Sequence, residues 1–202
     1  MAHHQVSRIT VRHALADLAA EGLIDRAQGK GSFVAPVAIV QDLSRLQGLT
    51  EALARQGRTV RTRVLSLRPR RPAADVCEAL GLDDGEQCLQ LHTLRYADAH
   101  PLSENHTWIH PDAAQGLDVE VLQQADLLTV YETELGLRVA RATVDIQADL
   151  ATSAQCARLK LRAPSAILRV ERTVYTLSDQ AMHHERSVYH PGAFSYRLSL
   201  QR

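Results

Sequence analysis

Apolar residues return at helical spacing through Val11, Ala14, Leu15 and Leu18, the pattern of a helix with one buried stripe. Ser7 precedes them as an N-cap, and Gly22 follows as a left-handed stop. Leu23 and Ile24 then open a short strand, Gln28-Gly29-Lys30-Gly31 turns, and Ser32-Phe33-Val34 returns. A second helix is predicted over 42–56, with Leu46, Leu49 and Leu53 in register and Gly57 behind it. After that the period changes to two. Strands are predicted over 59–67, 87–96, 102–110, 138–150, 167–175, 182–189 and 195–200. Short helices interrupt them over 72–80, 119–124, 127–135 and 153–159, the first stopped by Gly81 and the last capped by Thr152.

The alternating part echoes itself. DVCEALGL, CLQLHTLRY, a turn and a returning strand can be laid on AQCARLKL, ILRVERTVY, a turn and a returning strand. Cys77 falls on Cys156, Leu80 on Leu159, Leu89 on Leu168, Leu91 on Val170 and Tyr96 on Tyr175. A repeated helix plus hairpin predicts one antiparallel sheet with helices on one face, an α+β architecture. The cleft between the copies is a natural ligand site.

Composition adds bounds. The 202 residues hold a small domain and a larger one, and a 45% apolar share supports an ordinary core. Net charge is zero, and the stretch before Val37 is only slightly basic, which lends little weight to nucleic-acid binding. Cys77, Cys88 and Cys156 form no CxxC and read as small apolar residues or free thiols of a reducing compartment. With no membrane-length apolar run and no signal-peptide pattern, the cytoplasm is the expected location. Seven arginines and no acid lie between Glu51 and Asp75. They fit either a solvated strand face plus loop or an anion-facing surface.

The first helix and hairpin suit duplex DNA. Arg8 and Arg12 lie one turn apart at the helix front, where guanidinium forks can meet guanine edges in a major groove. Ser7 and Thr10 can bond phosphates or base edges, and the glycine turn lets Lys30 approach a minor groove. By spacing alone an ordinary amphipathic helix with solvated arginines fits as well. The segments SRITVRHALADLAAEGLI and RAQGKGSFVA, however, resemble the recognition helix and wing of the GntR superfamily of bacterial transcription regulators. The resemblance implies DNA contacts from Ser7, Arg8, Thr10 and Arg12, and a wing of Gln28, Gly29, Lys30 and Gly31. In that family a first helix and most of a second precede this point, whereas here MAHHQ alone precedes Val6. A partial, truncated winged helix-turn-helix is therefore expected over 1–36, a linker over 37–41, and a second domain over 42–202.

From about Val40 to Leu200 the chain resembles the UTRA effector-binding domain of the HutC subfamily, most firmly in VLSLRP, ADVCEALGLDDGE and LQLHTLRYADAHPL. Those pieces are most similar to phosphonate-utilisation regulators. The resemblance implies ligand contacts at Leu49 and Thr50, at Thr93 and Arg95, at Asn105 and Thr107, and at Glu185, Ser187 and Tyr189. Arg172, at the position equivalent to Thr93, is a further candidate. The family commonly has a carboxylate where Asn105 stands, and Arg-Ala-Asp or Arg-Gly-Asp where His190-Pro191-Gly192 stands. An Arg, a hydroxyl and a helix front together suit a phosphate, phosphonate or carboxylate.

Ten histidines include the adjacent pairs His3-His4 and His183-His184, but no HExxH, so no metal is expected. Ser103, Ser187 and Cys156 lack a GxSxG-type motif, there is no glycine-rich phosphate loop, and no cofactor is implied. The reading is a homodimeric repressor, not an enzyme, whose affinity for a two-half-site DNA operator is controlled by a small anionic effector. One alternative is an enzyme like chorismate lyase, which shares the UTRA fold. Another is a stand-alone ligand sensor without DNA binding.

Overall fold

The computed structural model describes residues 6–20, 24–27, 31–34, 39–98 and 100–201. The chain divides into two compact units, Met1–Ile39 and Val40–Arg202.

In the first unit, α1 spans Arg8–Ala20. Ser7 caps it: the Thr10 amide donates to Ser7 Oγ at 3.1 Å, and the Val11 amide to the Ser7 carbonyl at 3.2 Å. The hairpin pairs β1 (Ile24–Ala27) with β2 (Gly31–Val34), Ile24 opposite Val34 and Ala27 opposite Gly31. Gly31, expected in the turn, opens the second strand at φ +115°, a conformation that favours glycine. Val11 and Leu18 of the apolar stripe are exposed, and Leu15 is half-buried. The expected helix stop at Gly22 and the wing residues Gln28, Gly29 and Lys30 lie outside the described residues.

The second unit is built on six strands: β4 (Val60–Arg70), β5 (Cys88–Ala97), β6 (His100–Ile109), β7 (Val139–Leu150), β8 (Ala166–Thr176) and β9 (Ala181–Tyr189). They pair antiparallel in the order β4-β5-β6-β9-β8-β7. That order is the sequence echo in space. Each copy contributes three strands, and the copies join along β6 and β9. The repeat helices are α3 (Ala74–Leu80), which ends at Gly81 with φ +67°, and α6 (Ser153–Leu159). A capping box opens α6, with the Gln155 amide donating to Thr152 Oγ1 at 3.2 Å and the Thr152 amide to Gln155 Oε1 at 2.8 Å.

Both repeat helices pack on one sheet face, as the echo predicts. Val76 and Leu80 cluster with Cys88 and Trp108, and Leu159 with Leu94 and Val188. The segment between the copies covers the other face. There α4 (Val119–Gln124) and α5 (Leu127–Thr133) bring Leu122, Leu127, Leu128 and Tyr131 against Leu91, Ile109 and Val174.

The helix expected over 42–56 is mostly not helix. β3 (Ile39–Asp42), which includes residues expected as linker, pairs with β10 (Phe194–Arg197), and α2 covers only Leu49–Ala54. The physical reason is local. Asp42 Oδ1 accepts from the Ser44 amide at 2.8 Å and its hydroxyl at 2.7 Å, an Asx turn, and Gly48 is extended at φ −71°, ψ 159°. Leu46 had the right spacing but is exposed. The last expected strand, 195–200, is β10 and lies outside the six-stranded sheet.

Candidate functional site

Alternation along four central strands sends a run of polar residues to the face covered by α4 and α5. Thr93 of β5 is opposite Asn105 of β6, which is opposite Ser187 of β9. In the next row Arg95, Ser103 and Tyr189 align, and in the row on the other side Thr107, Glu185 and Arg172. Apart from half-buried Arg172, all of these are buried. Each buried polar group costs about 1–3 kcal/mol if left without a partner. Many find one within the cluster. Ser103 Oγ donates to Asn105 Oδ1 at 2.8 Å, and Asn105 Nδ2 to Ser187 Oγ at 2.9 Å. Thr107 Oγ1 donates to Glu185 Oε2 at 3.3 Å, and Arg172 Nη2 to Glu185 Oε1 at 3.2 Å.

The strand residues named from sequence therefore meet on one surface. Thr50 is linked to them only through Asp126, which accepts from its backbone amide and faces Arg95. Leu49 does not, because its side chain is buried as an apolar core residue. Tyr189 stacks on Phe194 at 3.9 Å between ring centroids, with Tyr196 edge-on at 6.1 Å.

The charges here are fixed by their surroundings. Burial pushes the Glu185 carboxyl up, but Arg172 and Arg95 outweigh it and hold the group down at about 2. Asp126, between α4 and α5, accepts from the Thr50 amide through Oδ2 at 2.6 Å, and its Oδ1 lies 3.8 Å from Arg95 Nη2. Nε of both Arg95 and Arg172 is buried without a hydrogen-bond partner among the described residues. Two guanidinium groups with unused donors in a dry site are suited to an oxyanion. Arg172 and Tyr196 also wall a cavity of about 90 Å³ beside Gln41, Leu46 and Val144.

Sequence reasoning missed Asp126, Ser103 and the buried pair Tyr131–His183, in which the hydroxyl lies 3.2 Å from Nδ1. Ser103 was findable, since period two puts it on the face of Asn105 and Thr107. Asp126 was not, because an aspartate ahead of an apolar helix reads as that helix's own cap.

The opposite face carries a second concavity of about 390 Å³, lined by Arg68, Arg70, Arg71, His92, His106 and Trp108. Three of the seven clustered arginines line it. Beneath it Glu104, 1% exposed, places Oε1 at 2.8 Å from His92 Nε2, 3.5 Å from His106 Nε2 and 2.7 Å from Arg158 Nη2. His92, Glu104 and His106 bring metal-ligating atoms within 4.8 Å of one another, a grouping hidden from sequence because His92 and His106 are cross-strand partners. The Arg158 guanidinium already holds the shared carboxylate oxygen, so a metal cation would meet a positive charge there.

On the first unit, Ser7, Arg8, Thr10 and Arg12 are all exposed at the front of α1, with Ser7 Oγ 2.9 Å from Thr10 Oγ1. Gly31 is exposed at the hairpin.

Comparison with known proteins identifies both units. Residues 55–195 match the UTRA domain, and residues 1–34 match the bacterial regulatory proteins of the gntR family. An HTH-type transcriptional regulator of Mycobacterium tuberculosis is 32% identical over 203 residues, 98% of this chain and 73% of that protein. The probable fructoselysine utilization operon transcriptional repressor of Escherichia coli is 29% identical over 182 residues, 89% of this chain and 74% of that protein. The crystal structure of PhnF from Mycobacterium smegmatis superposes with a TM-score of 0.74 at 24% identity, covering 98% of this chain and 86% of that one. These relatives are regulators rather than enzymes, which removes the lyase alternative. The chain belongs to the GntR family of bacterial regulatory proteins, carries that family's DNA-binding segment ahead of a UTRA domain, and is a DNA-binding transcription regulator.

Proposed function

We propose that this regulator is a cytoplasmic homodimeric repressor released from a two-half-site operator by a small anionic effector. The effector is a phosphonate, phosphate ester or carboxylate bound between Arg95, Thr50, Arg172 and the hydroxyls of Thr93, Thr107 and Ser187. The single observation that supports this most is the pair of guanidinium groups, Arg95 and Arg172, whose buried Nε donors lack partners among the described residues. Arg158, Arg169 and Arg186 also keep a buried Nε without a hydrogen-bond partner among the described residues, but Arg95 and Arg172 do so beside the rows of buried hydroxyls, where an oxyanion would meet both. Ser7, Arg8, Thr10 and Arg12 on α1, with Gln28, Gly29, Lys30 and Gly31 of the hairpin, make the DNA contacts.

Fluorescence anisotropy on a palindrome upstream of the regulated genes tests both halves. Arg8→Ala with Arg12→Ala should lower operator affinity at least a hundredfold, from loss of about 1–3 kcal/mol per base-reading Arg in each half-site. Arg95→Gln should leave operator affinity intact and abolish release by any effector found in a screen of phosphonates, sugar phosphates and organic acids. Unchanged operator binding by the double variant would sink the DNA assignment.

A further inference from the structure

Asp126 holds the N-cap position of α5, where an aspartate ordinarily accepts from its own helix, yet its side chain makes no such bond. The carboxylate instead reaches the Thr50 amide at 2.6 Å and faces Arg95 Nη2 at 3.8 Å. The chain makes room for it. A Cβ on Gly48 would stand 2.3 Å from Asp126 Oδ2 and 2.7 Å from Asp126 Cβ. Gly48 itself has φ −71°, a value open to any residue, so close approach is what requires glycine there. Asp126 is 5% exposed and Arg95 8% exposed, and Arg95 Nε still has no hydrogen-bond partner among the described residues. The carboxylate thus neutralises Arg95 without saturating it.

We propose that Asp126 is a built-in substitute for the effector's acid group. It sits between Arg95 and Thr50 in the unliganded protein and is displaced when effector binds. This rests on the effector site argued above and adds a specificity-determining residue to it. The displaced carboxylate has a destination. Rotation about its own side chain returns it to the first amides of α5, which it leaves uncapped in this structure. Displacement therefore exchanges one cap for another, and effector binding is coupled to how α5 is anchored. A tethered carboxylate also competes at high effective concentration. An incoming monocarboxylate exchanges like for like, whereas a dianion with three oxygens adds charge and can reach Arg95 Nε. Asp126 thus screens against weak, singly charged acids.

Calorimetric titration of the full chain with inorganic phosphate tests this, using wild type, Asp126→Asn, Arg95→Gln and the double variant. Asparagine keeps the size and an acceptor for Thr50 while removing the charge. Asp126→Asn should bind phosphate at least tenfold more tightly than wild type, and adding Arg95→Gln should erase the gain. Equal, Arg95-dependent binding by wild type and Asp126→Asn would overturn the role of Asp126 and leave the effector site standing. Phosphate binding that ignores Arg95, or no phosphate binding by any variant, would overturn the effector site as well. If Asp126→Asn does not fold, Asp126→Ser, which retains a capping hydroxyl, makes the same comparison.

Discussion

Protonating His183 is the pH perturbation the UTRA unit should resist most strongly. The imidazole is 0% exposed, with the Tyr131 hydroxyl at Nδ1 and no hydrogen-bond partner for Nε2 among the described residues. Burial first, and then the Arg172 charge, push it from 6.5 down to about 3. For a base whose folded value lies below its unfolded one, the unfolded chain takes up the proton first as pH falls. Stability from this group is therefore full above about 6.5 and declines toward about 3, by about 1.4 kcal/mol per pH unit. Going from pH 7.5 to pH 5 should cost about 2 kcal/mol. The Glu185 carboxyl, held at about 2 against a usual 4.5, loses its contribution only below about 4.5, outside the interval from pH 7.5 to pH 5. Trp108, the sole tryptophan, lies in β6, so its fluorescence during urea titration reports unfolding of this sheet. In His183→Leu the difference in unfolding free energy between the two pH values should shrink by about 2 kcal/mol. A smaller slope should survive from His184, which burial, chiefly, also pushes down. A variant that keeps the whole wild-type decline would refute the buried neutral imidazole.

Other outcomes follow from the same geometry. Gly48→Ala should destabilise the unit by about 1–3 kcal/mol, and a further Asp126→Ala should recover only part of that, because the Cβ it keeps would still stand 2.7 Å away, as a double-mutant cycle by urea titration would show. Thr152→Ala removes the acceptor for the Gln155 amide and should cost about 1 kcal/mol in the same assay, whereas Thr152→Ser should cost a few tenths. Leu53→Ala, at a position 0% exposed, should cost about 2–5 kcal/mol. A loss below 1 kcal/mol would mean that α2 is not anchored by this side chain.

Much of the architecture was legible because the echo is a repeated chemical pattern. Leu89 and Leu91 alternate as Leu168 and Val170 do, so both hairpins had to present an apolar face, and the repeat helices had to lie together. Period two also placed Thr93 with Arg95, and Asn105 with Thr107. It could not say which face α4 and α5 would cover, because their apolar stripes fit either. Nor could it give register. Thr107 meets Glu185, and Glu185 meets Arg172, through pairings 78 and 13 residues apart. The misreading over 42–56 has a definite cause. Leu46, Leu49 and Leu53 keep helical spacing, but the Asp42 Asx turn and the Gly48 kink act over shorter range than the period they interrupt.

The arginine-rich stretch shows the same limit from the other side. Its charges were obvious, yet the residues that gather at the buried site are Arg95, the single arginine of β5, and Arg172, which shares β8 with Arg169 on the other face. Arg68 and Arg70 fall on alternate positions of edge strand β4, on the face away from α4 and α5, opposite Gln90 and Cys88. A dense cationic run is easily solvated, and an edge strand keeps it so. An isolated arginine carried into a sheet centre must be matched, and here the matching carboxylates come from Glu185 on β9 and from Asp126 ahead of α5. Glu185 lies two residues from Ser187 on its own face and was found. Asp126 belongs to the covering layer and reaches Arg95 only through tertiary packing. The charge that sets what the pocket accepts therefore comes from the element whose position the sequence specified least.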